Sequence, residues 1–148
     1  MKLATWNVNS LKVRLPQLLD WLAREQPDVV CLQETKLEDA YFPAAEITAA
    51  GYHFACSGQK TYNGVALLAR NALSDVISDN PFYPDAQKRL LLATVDDVQV
   101  ICAYVPNGQA VGSDKYAYKL DWLQALPPWL EERLAINPQL VLAGDFNI

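Results

Sequence analysis

Five side chains with the chemistry to handle a phosphate ester stand where apolar runs stop: Asn7, Glu34, Tyr104, Asp145 and Asn147. The densest case is Gln139-Leu-Val-Leu-Ala-Gly-Asp-Phe-Asn-Ile148. There an apolar strand is halted by Gly144 and followed at once by a carboxylate and a carboxamide. Polar side chains two apart on an extended backbone point to the same side. Singly, each residue has a plainer reading. Gly, Asp and Asn favour turns, a lone Glu after a strand is usually solvated, and a lone Tyr is usually a core ring with a wet hydroxyl. Together they make two carboxylates, two carboxamides and a phenol, the oxygen ligands and donors that a hard cation such as Mg²⁺ and a phosphate oxyanion require. In that division Glu34 ligates the metal and Asn7 ligates or orients it. Asp145 takes a proton from an attacking water, while Asn147 and Tyr104 donate to the charge developing on phosphorus. Asp145 and Asn147 also count as candidate metal ligands.

The elements that must bring these residues together are those of an α/β protein. Residues 3–8 read as a strand with Asn7 and Asn9 at its exit. Residues 10–14 lead into a helix near Pro16, and Leu15, Leu18, Leu19 and Leu22 give it a core-facing stripe. Pro27 ends it before a second buried strand at 29–34, and strand, helix, strand is the order of an α/β architecture. Residues 37–50 suggest a short irregular helix and a loop. Strands at 52–57 and 65–70 are joined through the turn dipeptide Asn63-Gly64. Residues 71–88, holding Pro81 and Pro84, read as a weakly structured connection. A hairpin follows, 89–95 and 98–105 about Asp96-Asp97. Its second arm is apolar on both faces, with Val98, Val100, Cys102 and Tyr104 on one and Ile101, Ala103 and Val105 on the other, which predicts a central strand. Ser113-Asp114 caps a helix whose apolar side is expected to carry Tyr116, Leu120, Leu123 and Leu126. Pro127-Pro128 is expected to break it, leaving a second piece at 129–135. In such sheets ligands commonly sit beyond strand ends, where separate segments meet.

The composition agrees with one domain. The 148 residues, 51% hydrophobic and 20% charged, describe an ordinary globular chain with a substantial core. A formal charge of −5 is unlike a small basic nucleic-acid module, so a polyanion would have to meet a local patch or a metal ion. Cys31, Cys56 and Cys102 form no CxxC or Cys/His pattern, which argues for buried reduced thiols instead of zinc. The start has no apolar h-region and no run approaches transmembrane length, so a cytoplasmic protein is expected, with no membrane partner.

Six stretches stand in a familiar order: Trp6-Asn-Val-Asn-Ser-Leu11, Leu32-Gln-Glu-Thr-Lys36, Asn63-Gly-Val-Ala66, Tyr104-Val-Pro-Asn-Gly108, Lys115-Tyr-Ala-Tyr-Lys-Leu-Asp-Trp-Leu123 and Gly144-Asp-Phe-Asn147. From residue 3 to the end the chain resembles the exonuclease III family of AP endonucleases, in the endonuclease/exonuclease/phosphatase superfamily whose fold resembles DNase I. The Gln-Glu-Thr and Gly-Asp-Phe-Asn elements are shared across that superfamily; the Tyr104 loop and the helix after it are more specific. The resemblance implies a four-layer α/β sandwich, two mixed sheets face to face with helices outside. It implies Mg²⁺-dependent (alternatively Mn²⁺-dependent) hydrolysis of DNA phosphodiesters in base-excision repair, 5′ to an abasic site or from 3′ ends, by a monomer. Glu34 matches the family's metal-binding glutamate and Asn7 the asparagine beside it. Tyr104 matches the active-site tyrosine, Asp145 the proton donor or acceptor, and Asn147 the residue that steadies the transition state.

The departure is at the end. Family members run well past this point, with another aspartate and a final Ser-Asp-His element, whereas His53 is the only histidine here and reads as a packing residue in a strand. Residues 1–148 are therefore expected to be the N-terminal part of a single domain, roughly its first half. They would supply one sheet with its inner face exposed, and be unstable and inactive alone. Two alternatives stay open: a phosphodiesterase or phosphatase of the same superfamily with another substrate, and a catalytically inactive nucleic-acid-binding relative. Retention of Glu34, Asp145 and Asn147 together speaks against the second. For DNA contacts, Lys36, Lys60, Arg89, Lys115 and Lys119 could reach phosphates, and Arg89, Asn107 in the loop 107–112, and Lys115 are the ones singled out.

Overall fold

A computed structural model describes all of residues 1–148 and shows eight strands in two four-stranded sheets. The first sheet holds β1 (Leu3–Asn7), β2 (Val29–Gln33), β3 (His53–Ser57) and β4 (Val65–Ala69), in the order β1-β2-β4-β3. The second holds β5 (Ser74–Ile77), β6 (Leu90–Val95), β7 (Val98–Tyr104) and β8 (Leu140–Asp145), in sequence order. Each sheet has one parallel pair at an edge, β1 with β2 and β7 with β8, and antiparallel neighbours elsewhere. Parallel neighbours need a long crossover, here a helix in each case. The helix α1 (Leu11–Glu25) joins β1 to β2, and α3 (Asp114–Ile136) joins β7 to β8; α2 (Ala44–Ala49) is a shorter piece before β3.

The period of two along each strand sorts the core into three layers of side chains. Val30, Leu32, Ala66 and Leu68 face outward against Leu11, Leu18 and Leu22 of α1 and Ile47 of α2. Val29, Cys31, Val65 and Leu67 face inward, where they meet Leu91, Ala93, Val100 and Cys102 of the other sheet. Leu90, Leu92, Ile101 and Ala103 turn outward again under Trp122, Leu126 and Trp129 of α3. Helix, sheet, sheet, helix is the four-layer sandwich expected, and β7 is indeed internal. One expectation is overturned. The chain supplies both sheets, and the inner face of each is buried against the other instead of being exposed.

Four local readings are also corrected. Helix α1 starts at Leu11, capped by the Ser10 side chain, and not near Pro16, which lies in its second turn. Helix α3 runs unbroken through Pro127 and Pro128. Those prolines forgo the donors that would reach the carbonyls of Leu123 and Gln124, a cost of about 3 kcal/mol for an interior proline. Burial of Trp122, Leu126 and Trp129 on the sheet outweighs it, and buried Gln99 clamps the far end, donating to the Arg133 and Asn137 carbonyls at 2.7 and 2.8 Å. The buried residues of α3 are Trp122, Leu126 and Trp129, with Tyr118 and Leu123 partly buried beside them, while Leu120 is exposed. Lastly, the connection 71–88 contains the edge strand β5, whose exposed, irregularly paired residues carry no alternating pattern. No helix of the fold is long and apolar enough to cross a membrane.

Candidate active site

Each β-α-β unit delivers polar residues to the carboxyl ends of two adjacent parallel strands. In the first sheet Asn7 is opposite Gln33, with Glu34 next along the chain. In the second, Tyr104 is opposite Asp145. Because the sheets stack face to face, both pairs of ends reach one corner, and direct contacts join them across the gap. The Asn7 amide Nδ2 donates to Glu34 Oε2 at 2.5 Å and to Asp145 Oδ2 at 2.8 Å. Its orientation is fixed from behind, since Asn7 Oδ1 accepts from the Asn9 backbone N–H at 3.0 Å.

The loops around this corner are laced by their backbones. Ser10 N–H donates to the Glu34 carbonyl, Leu11 N–H to that of Thr35, Lys36 N–H to that of Asn63, and Gly64 N–H to that of Lys88, at 2.8, 3.0, 2.9 and 2.9 Å. Lacing so tight forces unusual conformations, with φ of +55° at Glu34, +56° at Lys36 and +48° at Asn147. Such left-handed non-glycine residues cluster at functional sites, where surrounding structure holds the strain. Gly64 is required twice over: its φ is +96°, and a Cβ there would lie 2.2 Å from Thr35 Oγ1. On the other wall Asp145 Oδ1 accepts from Asn147 N–H at 3.1 Å, and Asn147 Nδ2 donates to the Val105 carbonyl at 2.8 Å. Lys119 Nζ, reaching from α3, holds the Asn147 carbonyl at 2.7 Å. Asn147 is thus at the corner, but its amide N–H is committed to the end of β7.

Tyr104 stands beside the two carboxylates. Burial pushes its phenol above the ordinary range, and the nearby charges of Glu34 and Asp145 push the same way against the opposing pull of Arg89. It therefore keeps its proton at neutral pH and can donate it in a hydrogen bond. The donor set fits a hard cation. Two carboxylates meet over one amide, and the ammonium of Lys36, 3.8 Å from Glu34 Oε1 and bonded to Asn9 Oδ1 at 2.7 Å, is their only ion-pair partner. No three Asp, Glu, His or Cys side chains gather at one point. That count suits Mg²⁺, which is commonly bound through one or two carboxylates plus water and substrate phosphate.

Tyr104 also forms one wall of a cleft of about 390 Å³, lined by Arg89, Asn107, Lys115, Tyr118 and a row of amide side chains that includes Gln59 and Asn63, with no Asp or Glu among them. The three residues chosen from sequence as polyanion contacts are all here. Lys36 and Lys119 have protein partners instead. Sequence reasoning missed Gln87, which accepts from Arg89 Nε at 3.0 Å, Tyr118, whose ring lies beside Arg89, Asp85, which receives the Tyr118 hydroxyl, and Gln33, which bonds Thr5 Oγ1 at 2.9 Å and Cys102 Sγ at 3.4 Å between the sheets. Tyr118 and Gln33 lay inside quoted motifs. Nothing local marked Asp85.

A family model described as the endonuclease/exonuclease/phosphatase family matches residues 4–148. The chain belongs to that family. It is 33% identical over 154 aligned residues to exodeoxyribonuclease III of Haemophilus influenzae, covering all of this chain and 58% of that protein. Among solved structures it is similar to the 3′ phosphatase NExo from Neisseria bound to a product DNA hairpin, with a TM-score of 0.98 and 48% identity. It is also similar to an AP endonuclease from Archaeoglobus fulgidus, with a TM-score of 0.95 and 39% identity. Each of the two solved structures is covered to 58% of its length and spans the whole of this chain. The DNase I-like sandwich expected of the family is the fold found.

Proposed function

We propose that the protein is a Mg²⁺-dependent DNA hydrolase of base-excision repair, acting at abasic sites or 3′ ends. The observation that carries this reading is the meeting of Glu34 and Asp145 on the Asn7 amide beside Tyr104. The names of the relatives supply the nucleic acid, and the relative called a 3′ phosphatase favours 3′ ends among the candidate substrates. Residues 1–148 would be the N-terminal part of a single such domain, cytoplasmic and monomeric, inactive without the rest of the site.

On this reading Glu34 and Asp145 hold the cation, with Asn147 at the edge of the set and Asn7 as the orienter, since its N–H groups and not its oxygen face the carboxylates. Mg²⁺, or Mn²⁺ in its place, supplies positive charge to the phosphate oxygens. Asp145 accepts the proton of the attacking water. Tyr104, kept neutral by its surroundings, donates a hydrogen bond to a phosphate oxygen, and the Asn147 turn steadies Asp145 through its backbone N–H. Arg89, Asn107 and Lys115 contact the strand backbone along the carboxylate-free cleft.

The test is a substrate panel with the full-length protein: abasic duplex, recessed 3′ ends, a 3′-phosphate end, and inositol phosphates as the rival class. The wild type should act on DNA only with divalent metal. Asp145→Asn should lower cleavage by about a hundredfold or more, the usual scale for removing a general base, and leave duplex binding near its wild-type value. Cleavage unchanged by that substitution, or activity confined to the non-DNA esters, would refute the reading.

A further inference from the structure

Arg89 is gripped from several directions. Its Nε donates to Gln87 Oε1 at 3.0 Å and its Nη1 to the Tyr104 carbonyl at 3.2 Å. Its guanidinium carbon lies 4.8 Å from the centre of the Tyr104 ring and 5.6 Å from that of Tyr118. Despite this crowding it takes part in none of the chain's ion pairs, which are Lys2–Glu25, Arg24–Asp20 and Lys36–Glu34.

A carboxylate is close by nonetheless. Asp85 receives the Tyr118 hydroxyl on Oδ2 and the Gln87 backbone N–H on Oδ1, the latter at 3.0 Å. The Tyr118 hydroxyl is thus held by Asp85, while the Arg89 guanidinium lies against the Tyr118 ring and its charge pulls the phenol down against the upward push of burial and of Asp85. Guanidinium and carboxylate form strong bidentate pairs whenever they meet, and a paired guanidinium has little left to offer another anion. Something must keep these two apart.

We infer that Tyr118 is a positioning residue whose hydroxyl occupies Asp85, so that Arg89 stays unpaired and turned into the cleft, where it grips a backbone phosphate of duplex DNA. This rests on the DNA reading above for the identity of the anion. Tyr118 suits the task because its backbone does not move freely. It sits on α3 one turn before Trp122, whose ring is buried on the second sheet. Asp85, by contrast, lies in the connection before β6, anchored by side-chain bonds, including that from Tyr118. Removing the hydroxyl alone leaves the phenyl ring packed beside Tyr83, 6.3 Å between centres, and frees Oδ2 of Asp85, while Oδ1 keeps the Gln87 N–H. Arg89 then turns to Asp85, and the cleft loses its fixed cation.

The experiment uses full-length protein and a fluorescein-labelled duplex in EDTA, with affinity read by anisotropy across a range of salt. Tyr118→Phe should weaken binding about tenfold at low salt and flatten the dependence of log K on log salt by about one phosphate contact. Adding Asp85→Asn to it should restore most of the loss, because a neutral carboxamide at that position cannot ion-pair with Arg89. Arg89→Ala should lose as much as Tyr118→Phe and gain nothing from Asp85→Asn. Wild-type binding by Tyr118→Phe overturns the inference. So does a loss that Asp85→Asn fails to restore, the mark of a residue that only packs. Cleavage of the same duplex with Mg²⁺, measured in parallel, judges the hydrolase reading separately: a wild type that binds without cleaving sinks that reading and leaves the role of Tyr118 standing. A wild type that does not bind duplex overturns both.

Discussion

Between the sheets, Val29, Cys31, Val65 and Leu67 meet Leu91, Ala93, Val100 and Cys102 in an apolar seam. At the carboxyl ends of β1, β2 and β8, Asn7, Glu34 and Asp145 form a polar rim. In the seam no buried side-chain nitrogen or oxygen lacks a partner, and buried Gln33 ties the two sheets through Thr5 and Cys102. At the rim two like charges share one amide, and Asn9, Ser10, Glu34, Lys36 and Asn147 all have positive φ. Each such residue costs on the order of 1 kcal/mol, and persists only where its surroundings over-determine it. The seam is that surrounding structure. It fixes the strand ends so firmly that the rim can hold charge and strain which a free loop would relax. Apolar packing is concentrated in the strand interiors, and facing charge and strained backbone at the strand ends.

The largest effect that tests this division is expected where seam gives way to rim. Gly144 precedes Asp145 with a φ of +149°, and a Cβ there would lie 1.8 Å from the Ala103 carbonyl oxygen of the neighbouring strand. Backbone cannot yield cheaply, so Gly144→Ala should cost about 3 kcal/mol or more in urea unfolding. A loss under about 1 kcal/mol would mean that the register of β7 and β8 is soft and the rim is not rigidly held.

A smaller effect belongs to the outer layer, away from both regions. Cys56 on β3 has its thiol pushed up to about 12 by burial, with the charge of Asp39 and a hydrogen bond to it adding to the rise, from an ordinary 9.0. Because the folded value is the higher one, the folded state holds the proton more tightly. That contribution to stability is fully present below pH 9 and is lost as pH climbs from 9 towards about 12. Cys56→Ala should flatten the fall in urea midpoint over that window. Parallel falls in the two proteins would show that the thiol does not set it.

Most of the rim was legible in the sequence, because each of its residues directly follows an apolar run and the parallel pairs put those exits side by side. The expectation of a single sheet failed because the faces of β2, β4, β6 and β7 are apolar on both sides, and sequence alone does not say which face meets a helix and which another sheet. The break expected at Pro127-Pro128 failed because a local cost was weighed without the burial of Trp122, Leu126 and Trp129 that offsets it. Edge strand β5 was silent, its first three residues exposed and free of alternation. The bond between Tyr118 and Asp85 joins residues 33 apart, in a helix and an irregular segment, a separation at which no spacing rule operates. On the proposed reading the cleft is where a chain of net charge −5 meets a polyanion, since its lining contains Arg89 and Lys115 and no carboxylate.

On the proposed reading Glu34 and Asp145 form one cation site. Thermal melting of the full-length wild type and Glu34→Gln across a Mg²⁺ titration tests it most directly. A ligand that binds only the folded state stabilises it by RT ln(1 + [L]/Kd), about 1.4 kcal/mol at ten times Kd. The wild type should show a saturable rise in Tm. Glu34→Gln, relieved of one of two facing charges, should melt at least as high without metal and respond little to it. A wild type indifferent to Mg²⁺, or an equal rise in both proteins, would contradict the account.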